Sequence, residues 1–303
     1  MENYNRREQF TKPHLEHKRH LPELEKLQYQ IDEVLHSISL DEAGDFMLAS
    51  KVCCYTTADI ISDLNIAILQ SLKIGSFSAA EALSRSSLEN SINLILFSQD
   101  PTSSRPKSIL LNYFKTSKIR AQKWHRYAKE SNNAESIERS SDFEQSLDII
   151  KGLFGDLDPK TIKGWPDAYS RFRDAGFEHF YHILFAPASD SIHGFSNDIF
   201  NRIFAEKLPL SEEERKEFVE GQMAEKISFA YYLATHSVLF FCIAASFIAD
   251  RAENEEASEK FQIIGKALEV MIMEHETLTK ACLDIIEPAK ESLKEKQRSS
   301  EVR

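Results

Sequence analysis

Glycine and proline are scarce in this chain. Nine of each occur in 303 residues, against ordinary usage of about 7% glycine and about 5% proline. The glycines, at 44, 75, 152, 155, 164, 176, 194, 221 and 265, never form G-x-G-x-x-G, a P-loop or a G-x-S-x-G elbow. That argues against dinucleotide-binding, P-loop and α/β-hydrolase folds. Cysteine is also sparse: Cys53, Cys54, Cys242 and Cys282, with no C-x-x-C. Two adjacent cysteines cannot face the same way on a helix, so neither a zinc site nor a disulfide framework is expected. Reduced, buried thiols in a cytoplasmic protein fit better. An excess of positive charge is missing too. The net charge of −11 is unlike that of a duplex-DNA binder, although a local basic patch stays open. The first twenty residues carry three histidines and no apolar h-region, so no signal peptide is expected.

What the chain does have is helical periodicity. Prolines at 13, 22, 101, 106, 159, 166, 187, 209 and 288 leave long proline-free runs at 23–100, 107–158 and 210–287, where long helices can form. Leu24, Leu27, Ile31 and Leu35 recur at helical spacing. Ser211-Glu212-Glu213-Glu214 predicts a capped helix start. No period-2 run and no internal repeat is present. The expectation is an all-α, multi-helix bundle of roughly eight or nine helices with no sheet. Residues 1–21 are read as a flexible lead, 22–287 as one helical domain and 288–303 as a charged flexible tail. The uncharged stretch 227–249 is long enough to span a bilayer. Its flanks lack a positive-inside bias, and Tyr231, Tyr232, Thr235, His236 and Ser237 crowd its first half. A surrounded core helix is therefore preferred to a membrane span. The long apolar helices also make a homodimer or a protein partner the expected assembly.

Four constellations could carry chemistry. Arg85 and Glu89 stand four apart on an otherwise apolar helix, so they share a face as a functional or a structural ion pair. Ser189 and His193 share one turn, followed by Gly194; the plain alternative is a capping serine and an anchored histidine. Arg120 and His125 match the Arg-x(4–6)-His spacing of HEPN ribonucleases, in which arginine steadies a phosphate and histidine moves a proton. Ala121 stands where those enzymes usually carry a polar residue, and the competing reading is a basic solvated face from Lys115 to Lys129. Glu178, His179 and His182 lie close to His193 in sequence, but three defined ligands are not evident. A single Glu33-x-x-His36 does not make a ferritin-like di-iron set. No metal and no cofactor are expected.

Two segments together, SRSSLENSINLILF (84–97) and GWPDAYSRFRDAGFEHFYHILFAPASDSIHG (164–194), resemble a bacterial all-helical family of unknown function. That family has an Arg-x-x-x-Glu helix followed by a Trp, a basic helix, a Tyr and a Ser-x-x-x-His turn. Arg85, Glu89, Trp165, Tyr181, Ser189 and His193 occupy those places, and the resemblance covers about residues 45–250. It carries no established activity. By analogy it is similar to HEPN-like helical proteins, which are often toxins or antiviral effectors. The resemblance implies a pocket in which Arg85 holds an anion, His193 acts as acid or base and Glu89 orients one of them, with Ser189, Tyr181 and Trp165 as binding residues. Arg120 and His125 form the secondary candidate pair. Three function classes follow: a metal-independent ribonuclease or toxin in defence, acting on RNA; a non-enzymatic sensor or partner-binding module for an anionic small ligand, built on a buried Arg-Glu-His network; and a membrane-associated protein through residues 227–249.

Overall fold

The computed structural model describes residues 7–40, 48–153, 157, 158, 160–192, 197–207 and 211–301. Among these residues there is no strand. Ten helices of seven residues or more follow one another: α1 (Leu21–His36), α2 (Leu48–Lys73), α3 (Phe77–Ser98), α4 (Ser104–Glu130), α5 (Ala134–Gly152), α6 (Ala168–Asp174), α7 (Ala186–Ile192), α8 (Asn197–Lys207), α9 (Glu212–Arg251) and α10 (Glu255–Glu301). The fold is an all-α multi-helix bundle.

Local chemistry sets several of the boundaries. Ser211 and Glu214 form a reciprocal capping box at the start of α9. Asn133 and Asp167 cap α5 and α6 by accepting from the Ser136 and Ser170 amides. Gly75 turns the chain between α2 and α3 with φ +74°, a conformation open to glycine at little cost.

Helix α9 is the centre. It packs against α1, α2, α3 and α10, and its Leu233, Ala234, Phe241, Ala244, Ala245 and Ala249 are completely or almost completely buried. The small side chains let its neighbours approach closely. The hydroxyls and imidazole that interrupt its first half have local partners. Thr235 Oγ1 donates to Tyr231 O at 2.9 Å and Ser237 Oγ to Leu233 O at 2.9 Å. His236 Nδ1 lies 3.0 Å from Tyr232 O. Polar residues on a buried helix are thus accommodated by the carbonyl one turn earlier. Both α2 and α9 are long and apolar enough to cross a membrane, but the apolar window of α9 is 78% buried by its neighbours and that of α2 39%. At its end, Arg251 Nη1 reaches the Ser98 and Asp100 carbonyls at 2.8 and 3.0 Å, satisfying acceptors that the last turn of α3 leaves open.

A buried amide chain ties the first three helices together. Ser87 Oγ donates to Asn65 Oδ1 at 2.6 Å, Asn65 Nδ2 to Gln28 Oε1 at 2.8 Å, and Gln28 Nε2 to Asp32 Oδ2 at 3.0 Å. Such a chain fixes helix register, because a slip by one residue orphans every member. Cys54 and Cys242 are buried thiols, each pushed up to about 12 by desolvation.

Both ends differ from expectation. Residues 7–20 form short helical turns, Arg7–Thr11, Lys12–Glu16 and His17–His20, packed on α9 and α10. Their histidines stand three apart, so His14, His17 and His20 fall on one face and are buried. Polarity by composition hid an apolar-bodied stripe. At the other end α10 continues through Pro288 to Glu301. A proline deletes one amide donor, and the Glu, Lys and Leu residues around it are good helix formers.

The histidine face meets another histidine. The His17 ring stacks on His275 of α10 with centroids 3.6 Å apart, and Ser228 Oγ of α9 lies 2.8 Å from His17 Nδ1 and 3.4 Å from His275 Nε2. Tyr232 packs against both His275 and His236 and donates to Glu276 at 2.9 Å. Glu274 pairs with His20 and Arg19 at the rim. Burial lowers His17 and His236 to about 4 and His275 to about 2. These groups are neutral in the fold and take up a proton at about 6.5 when unfolded. Stability is therefore full above pH 6.5 and falls as pH drops toward 4, by about 1.4 kcal/mol per pH unit for each such histidine. Urea unfolding from pH 7.5 to 4.5 is expected to show this loss, and His275→Phe is expected to make the slope shallower by one histidine's share. A stability independent of pH over that range would contradict the neutral cluster.

Candidate functional site

The outward face of α3 presents Arg85, Glu89 and Asn93 at four-residue steps, one above the other. Opposite them stands Arg171 on α6, whose first turn is set by the Asp167 cap. Arg171 is buried to 6% exposure and each of its nitrogens is occupied. Nη2 meets Glu89 Oε1 at 2.6 Å, Nη1 donates to Asn93 Oδ1, and Nε reaches the Asp167 carbonyl at 3.4 Å. Trp165 lies under the guanidinium at 5.4 Å and stacks on Phe97. A guanidinium this deep needs such a set, since its planar fork offers donors in fixed directions.

Glu89 is shared between two arginines. Its second oxygen, Oε2, lies 3.6 Å from Arg85 Nη1. Arg85 is held more loosely. Its guanidinium sits 4.5 Å over the Phe185 ring, and its Nε is buried with no hydrogen-bond partner. Two arginines thus share the Glu89 carboxylate, and Arg85 keeps one unused, buried donor. This suits an anion.

The other predicted residues distribute around this pair. Tyr181 stacks on Phe185 at 5.4 Å and meets Phe172 and Tyr169 edge-on, so it buttresses the ring beneath Arg85. Tyr169 in turn donates to Glu178 at 2.5 Å. Ser189 is half-buried on α7, which packs on α3. His193 lies outside the described residues. Trp165 faces two ways: besides Arg171, it lines a cavity of about 490 Å³ with Phe114, Lys115, Lys118 and Lys151 of α4 and α5. Arg85, Glu89, Trp165 and Tyr181 therefore belong to one connected cluster.

Arg120 and His125 lie elsewhere, on α4. Arg120 is exposed, whereas His125 is half-buried with Nδ1 2.9 Å from Ser140 Oγ of α5. Five residues on an α-helix turn through about 500°, leaving the two about 140° apart. His179 and His182 are exposed, and among the described residues no group of three or more His, Cys, Asp or Glu could hold a metal.

Arg171 and Asn93 are the members that sequence reasoning missed. Asn93 continues the Arg85–Glu89 step by one more turn, a signal that was available. Arg171 resembles its neighbour Arg173 in sequence, and only the direction set by the Asp167 cap separates the buried arginine from the exposed one.

The geometry separates two roles. Removing Glu89 leaves the buried Arg171 without a counter-charge, so Glu89→Ala is expected to destabilise by about 3–5 kcal/mol. Arg85→Ala loses a partly exposed ion pair and one cation–π contact, and is expected to cost about 1 kcal/mol. Chemical denaturation of both variants checks the order; an equal loss in the two would show that Arg85 is as structural as Glu89.

A family of unknown function, DUF5677, matches residues 53–207. No curated protein and no solved structure matches the chain. The matched span contains every arginine, glutamate and aromatic residue of the cluster just described and the whole of α4 and α5, and it covers just over half of the sequence. The chain belongs to this family of unknown function, DUF5677.

Proposed function

We propose that the protein recognises an anionic, phosphate-bearing ligand at Arg85. The observation that carries this reading is the unpartnered Arg85 Nε beside a carboxylate already committed to Arg171. Buried polar groups without partners are uncommon in folded proteins. Glu89 and Arg171 act as the positioning pair, and Phe185, backed by Tyr181, holds the guanidinium plane. A sensor or partner-binding module needs no more than this. The burial of α9 supports a module working in water rather than one carried in a membrane by residues 227–249.

A metal-independent ribonuclease acting in defence is the enzymatic form of the same reading. It is favoured by the packing of α7, which carries Ser189, on the helix that carries Arg85. Arg85 would hold the scissile phosphate and His193 would exchange the proton.

Thermal-shift measurements with inorganic phosphate and a panel of nucleotides test the first reading. At a ligand concentration 100 times Kd, stabilisation of about 2.7 kcal/mol is expected, and Arg85→Ala is expected to abolish it while remaining folded. No stabilisation of the wild type by any of these anions would remove the site. Cleavage of a labelled RNA in EDTA, lost in both Arg85→Ala and His193→Ala, supports the enzymatic form. Ligand stabilisation without cleavage leaves a binding module.

A further inference from the structure

Helix α4 departs from the rest of the molecule in charge. It carries eight Lys and Arg against one Glu, within a chain whose net charge is −11. It forms a hairpin with α5, and the pair pack chiefly on each other around Phe114, Leu147 and Leu157, a small core separate from the main one. One flank of α4 faces α5, where Lys118 meets Asp148 at 2.8 Å and Gln122 meets Glu144 at 2.8 Å. The opposite flank has no such cover.

On that free side stand Arg120, Lys123 and Arg126, all exposed. None of the three has an ion-pair partner among the described residues. Beside them lie two exposed aromatic side chains, Trp124 at 40% and Tyr127 at 69%. At 1.5 Å per residue, Arg120 to Tyr127 makes a strip about 10 Å long. The strip holds no carboxylate, because every acid of the hairpin except Glu130 belongs to α5.

We propose that this strip of α4 binds a single-stranded polynucleotide. Guanidinium and ammonium groups at helical intervals can follow a phosphate backbone, and flat rings set among them give unpaired bases a surface on which to stack. A duplex offers its phosphates but keeps its bases stacked internally, so it would use the charges and not the rings. An anionic membrane would call for a broad aliphatic face, and this flank shows a single exposed aliphatic residue, Ile119. The acidic remainder of the chain does not prevent binding at the strip. Charges beyond about 8 Å are largely screened at physiological ionic strength, and α4 is a 27-residue helix about 40 Å long. The strip is distinct from the Arg85 cluster, and the inference does not rest on the function proposed there.

Fluorescence anisotropy with the full-length protein tests it, using labelled single-stranded RNA and DNA 12-mers, a 12-base-pair duplex and vesicles of phosphatidylcholine with phosphatidylserine. Single strands are expected to bind, and with three phosphate contacts their affinity should fall about twentyfold between 50 and 200 mM salt. Lys123→Glu with Arg126→Glu should weaken binding at least tenfold. Trp124→Ala with Tyr127→Ala should weaken the single strand about tenfold or more and the duplex much less. All these side chains are exposed, so unfolding temperatures should stay close to that of the wild type. RNA bound more tightly than DNA, or the reverse, supports the proposal and names the strand. It is overturned if single strands do not bind, if either double variant binds them like wild type, or if duplex or vesicles are bound as tightly as single strands. A dimer in sedimentation that the charge-reversal variant dissolves, with no strand bound, would also overturn it, by assigning the strip to a second copy of the chain.

Discussion

The constraint on which the rest of the structure depends is the burial of α9. A helix uncharged over 23 residues and apolar on every side has no face that it can leave to water. Four helices and the N-terminal turns together cover it. That explains why residues 7–20 are ordered against the bundle despite their polar composition. The buried bodies of His14, His17 and His20 supply cover that a fifth apolar helix would otherwise provide. It also accounts for the alanines and serines among the buried residues of α9, which shorten the distance to a neighbour and increase the dispersion contacts that it makes.

Covering α9 fixes α3, and α3 then exposes its other face. On this helix Ser84, Ser87 and Ser91 are fully buried toward the bundle, while Arg85, Glu89 and Asn93 rise on the outward side. Arg171 closes over that side and converts it from surface to interior. The energetic logic is asymmetric. A buried guanidinium is costly without partners, and Glu89 and Asn93 exist in the structure chiefly to meet that cost. Glu89 then has one oxygen left for Arg85, at a distance of 3.6 Å that holds without saturating. Arg85 is therefore positioned by the fold yet free to exchange a weak contact for a stronger one.

Much of this was legible in the sequence, and what was not has identifiable causes. Helical periodicity and the placing of prolines pointed to an all-α bundle, and Ser211-x-x-Glu214 marked the start of α9 correctly because a capping box is a local feature. The break between α4 and α5 has an equally local cause: Asn132 adopts φ 52° and Asn133 caps the next helix. Composition failed for 7–20, because histidine reads as polar in a count yet buries well as a ring. It failed again at Pro288, since a rule about an average proline does not weigh the helix formers on either side. At the site, the i, i+4 spacing brought Arg85 and Glu89 together on paper. Arg171 depends on α6 crossing α3 from 82 residues away, and no local pattern encodes that meeting.

The family span and the fold do not coincide, which bears on how the parts divide their work. Residues 53–207 hold the Arg85 cluster and the α4–α5 hairpin, but the helix at the centre of the core lies beyond them. The matched portion carries the cluster together with the part of the core that α2 and α3 supply, and α9, outside it, completes that core. Within the matched portion, charge is segregated as well. The eight cations of α4 stand beside the acids of α5 across a single hairpin. An intermixed surface would satisfy solubility equally well, so solubility does not account for the separation. Trp165 joins the two regions, with one side against Arg171 and the other lining the cavity beside Lys115 and Lys118. A ligand that displaced this indole would disturb the partner of the buried arginine. The hairpin and the Arg85 site are in this way neighbours through one side chain, with the rigid core of α3 and α9 behind both.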